Sequence, residues 1–375
     1  MSLNPIVFTK QILDTFLRYQ RTAFPFSDPR LAAQAREMLG ESLTSHLAKG
    51  TFVSLSRPFR LGATVSALVA EGKLHAGMKR VMPYPTLFQH QEEALLAVKA
   101  GKHLIVSTGT GSGKTEAFLS PILDTALTLR DAKADQGVLA VLVYPMNALA
   151  IDQMDRLRRM LRGSGISYGM WVGSTPDKDA GADVERAPES MTGEALTKWL
   201  EDPKAKTRRV PQEERISEED IRTRPPRLLL TNPQQMELLL TRAKDQGLFS
   251  SGHLRYLVFD EAHTYEGTTG AEVAVLIRRL KAFAGGDITC IGTSATLADP
   301  ERGTDAAARF AHRFFGVPQD KVAVVEERYV EVEWPAPGGL PALPTGDPMA
   351  ALEGLLATIT GEDWEELPKL NAEVK

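Results

Sequence analysis

Five short apolar runs, each followed by a turn and a helical pattern, most constrain how this chain of 375 residues can fold. Buried strands that alternate with helices form parallel sheets covered on both faces, so the sequence predicts an α/β fold. Ligands of such sheets bind at the carboxyl ends of the strands, and the informative polar residues follow these runs. The runs are 103–107, 138–144, 227–231, 256–259 and 288–292.

The first run leads into a glycine-rich turn that is typical of phosphate binding. Glycines let backbone N–H groups approach phosphate oxygens, and the helix that follows offers its positive N-terminus. Lys114 would reach the β- and γ-phosphates of ATP, and the Thr115 hydroxyl would bind Mg²⁺. The strict pattern has glycine where this chain has Thr108, and the alternative is a plain turn with a surface lysine. The predicted nucleotide-binding residues here are Thr110, Gly111, Ser112, Gly113, Lys114 and Thr115.

Two adjacent carboxylates follow the apolar run at 256–259. Asp260 and Glu261 end a strand that is otherwise apolar, and buried carboxylates without a partner are costly. Mg²⁺ held together with Thr115 supplies a partner for Asp260, and Glu261 can then orient and deprotonate the attacking water. The alternative is a solvated strand end. The pattern predicts Lys114, Asp260 and Glu261 as catalytic residues, Thr115 and Asp260 as the metal site, and ATP and Mg²⁺ as cofactors.

The order of these motifs resembles the first RecA-like lobe of a superfamily 2 DEAD/DEAH-box helicase. The stretch Asp260-Glu-Ala-His263 and the phosphate loop are similar to two motifs of that family. The resemblance implies a RecA-like P-loop NTPase lobe, with a parallel sheet and helices on both faces. It also implies that Gln91 reads the adenine edge and that His263, Ser294 and Thr296 couple hydrolysis to movement between lobes.

Further short motifs resemble the parts of this family that contact a nucleic-acid strand. They are small, polar and rich in backbone groups, which suits phosphate contacts that ignore base sequence. Ser174 stands where the family usually has aspartate. The predicted contact residues are Pro145, Asn147, Gln153, Thr175, Thr231 and Asn232. The arginines that add positive charge nearby, or that form the solvated face of a helix, are Arg156, Arg158, Arg159 and Arg162.

The residues that follow the acidic box narrow the resemblance. Residues 260–267 read Asp-Glu-Ala-His-Thr-Tyr-Glu-Gly, and Gly270 and Arg278-Arg-Leu280 follow, which is similar to the Lhr and MrfA type of DNA helicase. Proteins of this branch also occur in bacterial phage-defence systems such as DISARM. The resemblance implies DNA as the partner, single-stranded or with a single-stranded end, with RNA as the alternative. Subunits of a defence complex are further partners that it implies.

Charge and composition divide the chain into segments. The net charge is −4, but residues 319–375 hold 12 acidic and 4 basic residues, so the remainder is mildly basic. We expect a helical N-terminal accessory region at 1–83, which packs on the lobe or acts as a separate module. A lobe follows at 84–317 with a charged insertion at 177–226, and 318–375 is an acidic, Pro- and Gly-rich linker towards a missing second lobe.

Cysteine content and hydropathy bear on the compartment. One cysteine cannot form a disulfide framework within the chain, and no apolar stretch reaches the length of a membrane span. These features predict a cytoplasmic protein without membrane contact.

Two classes of function remain. The first is the N-terminal ATP-binding lobe of an ATP-dependent helicase or translocase, which needs a second RecA-like lobe, in cis or in trans, for full hydrolysis. The second is a nucleotide-gated nucleic-acid-binding or assembly module of a phage-defence complex. An RNA helicase is a third reading, because the contact motifs do not specify the sugar.

Overall fold

The computed structural model describes residues 5–23, 25–39, 57–109, 111–134, 136–178, 184–188, 190–191, 193–202, 204–250, 252–295 and 303–331. The chain divides into two compact units, of which one is Pro58–Val330 and the other combines Met1–Arg57 with Glu331–Lys375. The described part of the latter unit contains helices α1 (Pro5–Ala23) and α2 (Pro29–Leu39). No helix among the described residues is long and apolar enough to cross a membrane.

An eight-stranded sheet forms the centre of the unit Pro58–Val330. Its strand order is β12-β3-β11-β10-β4-β9-β5-β8, and all neighbours in it run parallel. Strands β1 and β2 form a separate antiparallel pair, and β6 and β7 a parallel one. The strands are β1 (Leu61–Thr64), β2 (Thr86–Phe88), β3 (His103–Ser107), β4 (Ala140–Val143), β5 (Tyr168–Trp171), β6 (Val184–Arg186), β7 (Arg208–Val210), β8 (Glu214–Arg215), β9 (Leu228–Thr231), β10 (Tyr256–Phe259), β11 (Thr289–Ser294) and β12 (Val322–Glu326).

Helices connect the strands and cover both faces of the sheet. The parallel α/β sheet predicted from the apolar runs is confirmed, and each of the five runs overlaps a strand of the sheet. The helices of this unit are α3 (Val65–Ala70), α4 (Met78–Val81), α5 (Gln89–Lys99), α6 (Lys114–Asp131), α7 (Asn147–Leu161), α8 (Gly193–Leu200), α9 (Glu218–Thr223), α10 (Pro233–Thr241), α11 (Gly267–Ala284) and α12 (Gly303–Ala311).

Side chains of the central strands alternate between two apolar clusters, one on each face. In β4, Leu142 joins the cluster that includes Phe118 of α6, whereas Val141 joins the cluster that includes Ile277 of α11. All four side chains are at most 1% exposed. Burial on both faces explains why these strands read as continuous apolar runs. Their parallel direction also brings their carboxyl ends to the same edge of the sheet.

The lobe extends further at both ends than the sequence indicated. Strand β12 lies beyond the expected boundary at 317, because Val322 pairs in register with His103 and Val325 is buried against the sheet. At the other end, Leu61 of β1 pairs with Phe88 of β2, before and after the expected boundary at 83. Helical pattern at the N-terminal end and composition at the C-terminal end do not report pairing with a strand far away in the sequence.

The charged insertion is more integrated than its composition indicated. It contains helix α8 and strand β8, which pairs with β5 at the edge of the sheet. Glu214 is 1% exposed and lies 2.6 Å from the Arg158 guanidinium, and Asp220 is 6% exposed and lies 2.9 Å from that of Arg186. Charged residues are buried here because they pair with one another.

Candidate active site

The glycine-rich loop between β3 and α6 has the backbone that phosphate binding requires. Gly111 and Gly113 have φ of +80° and +77°, where a side chain is disfavoured, and Gly113 forms the N-cap of α6. A Cβ on Gly113 would also clash with the amide of Gln91. Thr108, the departure from the strict pattern, accepts a hydrogen bond from Ser112 Oγ at 2.7 Å inside the loop. The predicted residue Thr110 lies outside the described residues.

Two side chains of α5 hold this loop from behind. The Gln91 amide nitrogen donates to the Gly113 carbonyl at 3.0 Å, and its oxygen accepts from the Phe88 N–H at 2.8 Å. His90, fully buried, lies 2.8 Å from the Ser112 carbonyl, and burial lowers its pKa. Both amide atoms of Gln91 are therefore engaged within the protein. In this conformation Gln91 supports the phosphate loop, and its contact with adenine stays a prediction.

The predicted catalytic side chains meet at the carboxyl edge of the sheet. Lys114 Nζ lies 3.0 Å from Glu261 Oε1, and their side chains are 10% and 25% exposed. Glu261 has φ of +49°, an uncommon conformation for a residue other than glycine, and such strain concentrates at functional sites. A nucleotide phosphate bound at this loop would replace Glu261 as the anionic partner of Lys114.

Asp260 directly precedes Glu261 and is half-buried. Burial raises the pKa of its carboxyl group above the ordinary value, and a hydrogen bond donated by the Thr293 hydroxyl opposes that shift. The same Thr293 oxygen accepts the Glu261 N–H at 3.0 Å. A carboxylate and the hydroxyl of Thr115, in the first turn of α6, are oxygen ligands that Mg²⁺ prefers, so these residues fit that ion.

His263 connects the acidic motif to the strand next to it. Its Nδ1 lies 3.2 Å from Ser294 Oγ at the end of β11 and 3.4 Å from Glu261 Oε2. The structure thus brings together two of the three residues predicted to couple hydrolysis to movement. The third, Thr296, lies outside the described residues.

The predicted strand-contact residues fall into two groups. Asn147 is exposed at the start of α7, and its side-chain oxygen accepts from the Asn232 amide at 2.8 Å. Pro145, just before α7, and Gln153, within it, are half-buried. Asn232 also accepts the Gln235 N–H at 2.8 Å and so caps α10. These residues place two of the predicted contact motifs side by side.

Thr231 and Thr175 instead use their hydroxyls within the protein. Thr231 is fully buried and donates to the Trp171 carbonyl at 2.7 Å, which ties β9 to β5. Its side chain cannot reach a strand in this conformation, which corrects the expectation of a direct contact. The Thr175 hydroxyl donates to the Met170 carbonyl at 3.0 Å and accepts from the Val172 N–H at 2.9 Å. It shapes the turn in which Ser174 is exposed.

Most arginines of α7 and its C-cap are engaged in ion pairs. Arg156 pairs with Glu116 of α6, and Arg162 pairs with Glu201 at 2.9 Å. Arg158 pairs with Glu214 of the insertion, whereas Arg159 is exposed. These contacts favour the interpretation that this face of α7 holds the lobe together.

A carboxylate far away in the sequence completes the phosphate loop. Glu327, directly after β12, accepts the Gly109 N–H at 2.6 Å and the Tyr329 hydroxyl at 2.7 Å. The Tyr329 ring stacks on Phe59 with centroids 5.3 Å apart, and the Val330 N–H donates to the Pro58 carbonyl at 2.9 Å. The sequence carried no local signal for Glu327. Thr293, by contrast, could have been found from the sequence. It directly precedes the predicted residue Ser294 in β11, and β11 pairs with β10, the strand that leads to Asp260.

We expect Glu327→Ala to weaken nucleotide binding to this chain about tenfold, because a hydrogen bond to a charged group contributes about 1.5–3 kcal/mol. The reason is that the Gly109 N–H loses its acceptor and the loop becomes less ordered. Titration with a fluorescent ATP analogue measures the effect, and Arg328→Ala, at an exposed neighbouring residue, is the control. Equal affinities of the Glu327→Ala variant and the unmodified chain would show that the contact does not support the loop.

Comparisons with known proteins follow the same motifs. Residues 88–302 match the family model of the DEAD/DEAH box helicase. Druantia protein DruE of Escherichia coli (strain UMEA 4076-1) is 26% identical over 82% of this chain and 21% of its own length. ATP-dependent helicase Lhr-Core of Methanothermobacter thermautotrophicus is 26% identical over 64% of this chain and 24% of its own length. The chain thus spans about a quarter or less of these relatives.

Solved structures share the fold. The DUF1998 helicase MrfA bound to DNA is 24% identical, with a TM-score of 0.50 over 72% of this chain and 31% of that one. The DEAD-box helicase Mss116 bound to ssRNA and UDP-BeF is 19% identical, with a TM-score of 0.50 over 73% of this chain and 47% of that one. At these identities the likeness shows the RecA-like helicase fold alone. Because the family model covers more than half of the residues, the chain belongs to the DEAD/DEAH box helicase family.

Proposed function

We propose that Pro58–Val330 is the N-terminal ATP-binding lobe of an ATP-dependent DNA helicase or translocase. One observation carries this proposal. The side chains of Lys114, Glu261 and Asp260 meet at one edge of the sheet, next to His263. A motor of this kind uses a second RecA-like lobe, in cis or in trans, and residues after Val330 would link the two.

The geometry supports a division of labour among these side chains. Lys114 exchanges Glu261 for a phosphate oxygen, which frees the Glu261 carboxylate to orient water and accept its proton. Asp260 and Thr115 would hold Mg²⁺, which neutralises charge on the phosphate oxygens. Ser294, 3.2 Å from His263, would couple the state of Glu261 to β11, in keeping with its proposed part in linking hydrolysis to movement between lobes.

The nucleic-acid surface would lie at the same edge, over Asn147, Asn232 and the turn with Ser174. The solved relative MrfA is bound to DNA, and Mss116 to ssRNA. We favour DNA because residues 260–280 are similar to the Lhr and MrfA branch. RNA is the alternative, since amide and backbone donors bind phosphates of either polymer.

Hydrolysis in the presence of different polymers tests the function. The complete helicase that contains this lobe is assayed for phosphate release with single-stranded DNA, duplex DNA and RNA in parallel. We expect the greatest stimulation by single-stranded DNA. Greater stimulation by RNA would establish the RNA helicase, and stimulation by none of the three would contradict a translocating motor.

A nucleotide-gated assembly module is the second candidate. Its motivation is the resemblance to helicases of phage-defence systems, and the chain aligns with Druantia protein DruE over 82% of its length. In that case ATP binding, and not hydrolysis, would organise nucleic acid and the subunits of a defence complex. The two functions make different predictions for Glu261, which are developed in the Discussion.

A further inference from the structure

Thr293 is a fully buried polar residue between the strands that lead to the two nucleotide motifs. It lies in β11, where Gly292 pairs with Phe259 of β10 and Thr293 itself pairs with Val106 of β3. Its side chain has no exposed surface. Because a buried hydroxyl is costly unless it forms hydrogen bonds, its partners indicate what it contributes to the site.

The hydroxyl of Thr293 joins both acidic residues of the site. It donates to Oδ1 of Asp260 and accepts the N–H of Glu261 at 3.0 Å. A hydroxyl has one hydrogen to donate, so the two bonds have fixed directions, with Asp260 as the acceptor and Glu261 as the donor. One side chain therefore holds two of the predicted catalytic residues at once.

The bond to Asp260 orients a carboxylate group. The last side-chain torsion of aspartate has broad energy minima, so a donor with a fixed position selects one orientation of its two oxygens. Thr293 is such a donor, because neighbouring strands on both sides hold its backbone in the sheet. Asp260 would bind Mg²⁺ together with Thr115, and hydrogen bonds to a metal ligand of this kind affect metal affinity.

The bond to Glu261 supports a backbone conformation that few residues adopt. Glu261 follows β10 with φ of +49° and ψ of +47°, and strained conformations persist only where their surroundings hold them. Its carbonyl accepts the Thr264 N–H at 2.9 Å, and its own N–H is held by Thr293. The ion pair with Lys114 holds the side chain, but a nucleotide phosphate would compete for that ammonium. The bond to Thr293 does not involve the ammonium and is compatible with bound nucleotide.

We propose that Thr293 is a positioning residue for the ATPase reaction. Its hydroxyl orients the Asp260 carboxylate for Mg²⁺ and keeps Glu261 in the left-handed conformation from which this residue acts as the general base. This role is separate from that of Ser294, whose hydroxyl lies 3.2 Å from His263. The inference rests on the proposed function, because it assigns a part in the hydrolysis proposed for this site.

Thr293→Val tests the part of this role that concerns the metal. Valine keeps the branched shape of threonine but has no hydroxyl. We expect the Mg²⁺ concentration for half-maximal binding of a fluorescent ATP analogue to rise about tenfold, as for loss of a group that orients a metal ligand. Affinity for the analogue without Mg²⁺ should stay unchanged, because the phosphate loop is intact. Thr293→Ser keeps the hydroxyl and should restore the response to Mg²⁺.

Hydrolysis tests the part that concerns Glu261. In the complete helicase with Thr293→Val, we expect kcat to stay about tenfold below that of the unmodified protein even at saturating ATP and Mg²⁺. Saturation with Mg²⁺ does not replace the acceptor that the Glu261 N–H has lost. Thr293→Ser should again restore activity. Thr289→Val, at a half-buried threonine at the other end of β11, is the matched control.

The possible failures can be told apart. Equal Mg²⁺ dependence of the Thr293→Val and unmodified chains would overturn the inference. An affinity that falls equally with and without Mg²⁺, and that serine does not restore, would also overturn it, since that pattern indicates a general loss of structure. If even the unmodified chain binds the analogue no more tightly with Mg²⁺ and the complete helicase releases no phosphate, the proposed function fails as well.

Discussion

Lys114→Ala is expected to lower hydrolysis by the complete helicase about 10³-fold, the size of effect found when a group that stabilises transition-state charge is removed. The Lys114 ammonium is the cation that the phosphate loop presents, and its side chain is 10% exposed, where electrostatic interactions are stronger than in water. Alanine leaves the backbone N–H groups of the loop in place but removes this charge. We also expect the affinity of the chain for a fluorescent ATP analogue to fall.

Lys102→Ala is the control for this substitution. Lys102 is an exposed lysine just before β3, with the same charge and no place in the loop. Because Lys114→Ala leaves Glu261 without its ion pair, thermal unfolding of both variants should be compared first. Hydrolysis that is unchanged in a folded Lys114→Ala protein would refute the mechanism proposed for this site.

Glu261→Gln is expected to separate nucleotide binding from hydrolysis. The glutamine amide has the same shape as the carboxylate and can accept a hydrogen bond from Lys114, so ATP-analogue affinity should remain within about twofold of the unmodified chain. It cannot accept a proton from water, and hydrolysis should fall about 10²- to 10⁴-fold, as expected for loss of a general base.

The Glu261 and Lys114 variants together decide between the two functions. A motor loses activity with either substitution, because it needs hydrolysis for each step. An assembly module that needs ATP binding only would keep its function with Glu261→Gln and lose it with Lys114→Ala. Glu266→Gln is a control of the same chemistry at an exposed residue of the same loop. Normal hydrolysis by Glu261→Gln would exclude a general-base role for this carboxylate.

Most of the fold could be read from the sequence because its central strands are buried on both faces. Each of the five apolar runs overlaps a strand, and the polar residues after them, such as Lys114, Asp260 and Asn147, do lie at one edge. These features depend on short stretches of chain. The family match and the parallel sheet agree with that reading.

The partners of individual side chains could not be read in the same way. Gln91 binds the Gly113 carbonyl and Thr231 binds the Trp171 carbonyl, although both were expected to face ligands. Each bond joins residues that are brought together only by the pairing of distant strands and helices. The motif identifies the residue type at a position, but the direction of its hydroxyl or amide depends on packing.

The contact between Glu327 and Gly109 also bears on the order of synthesis. These residues are 218 positions apart, so a ribosome completes the phosphate loop long before the carboxylate that binds it exists. Until β12 has been made, β3 is the outermost strand of the growing sheet and its backbone groups on that side have no partner. Native nucleotide affinity should therefore arise late in translation. An expression fragment that stops at residue 317 would contain the P-loop and acidic motifs. Its β3 would be an unpaired edge strand, which can pair with a strand of another molecule and so promote aggregation.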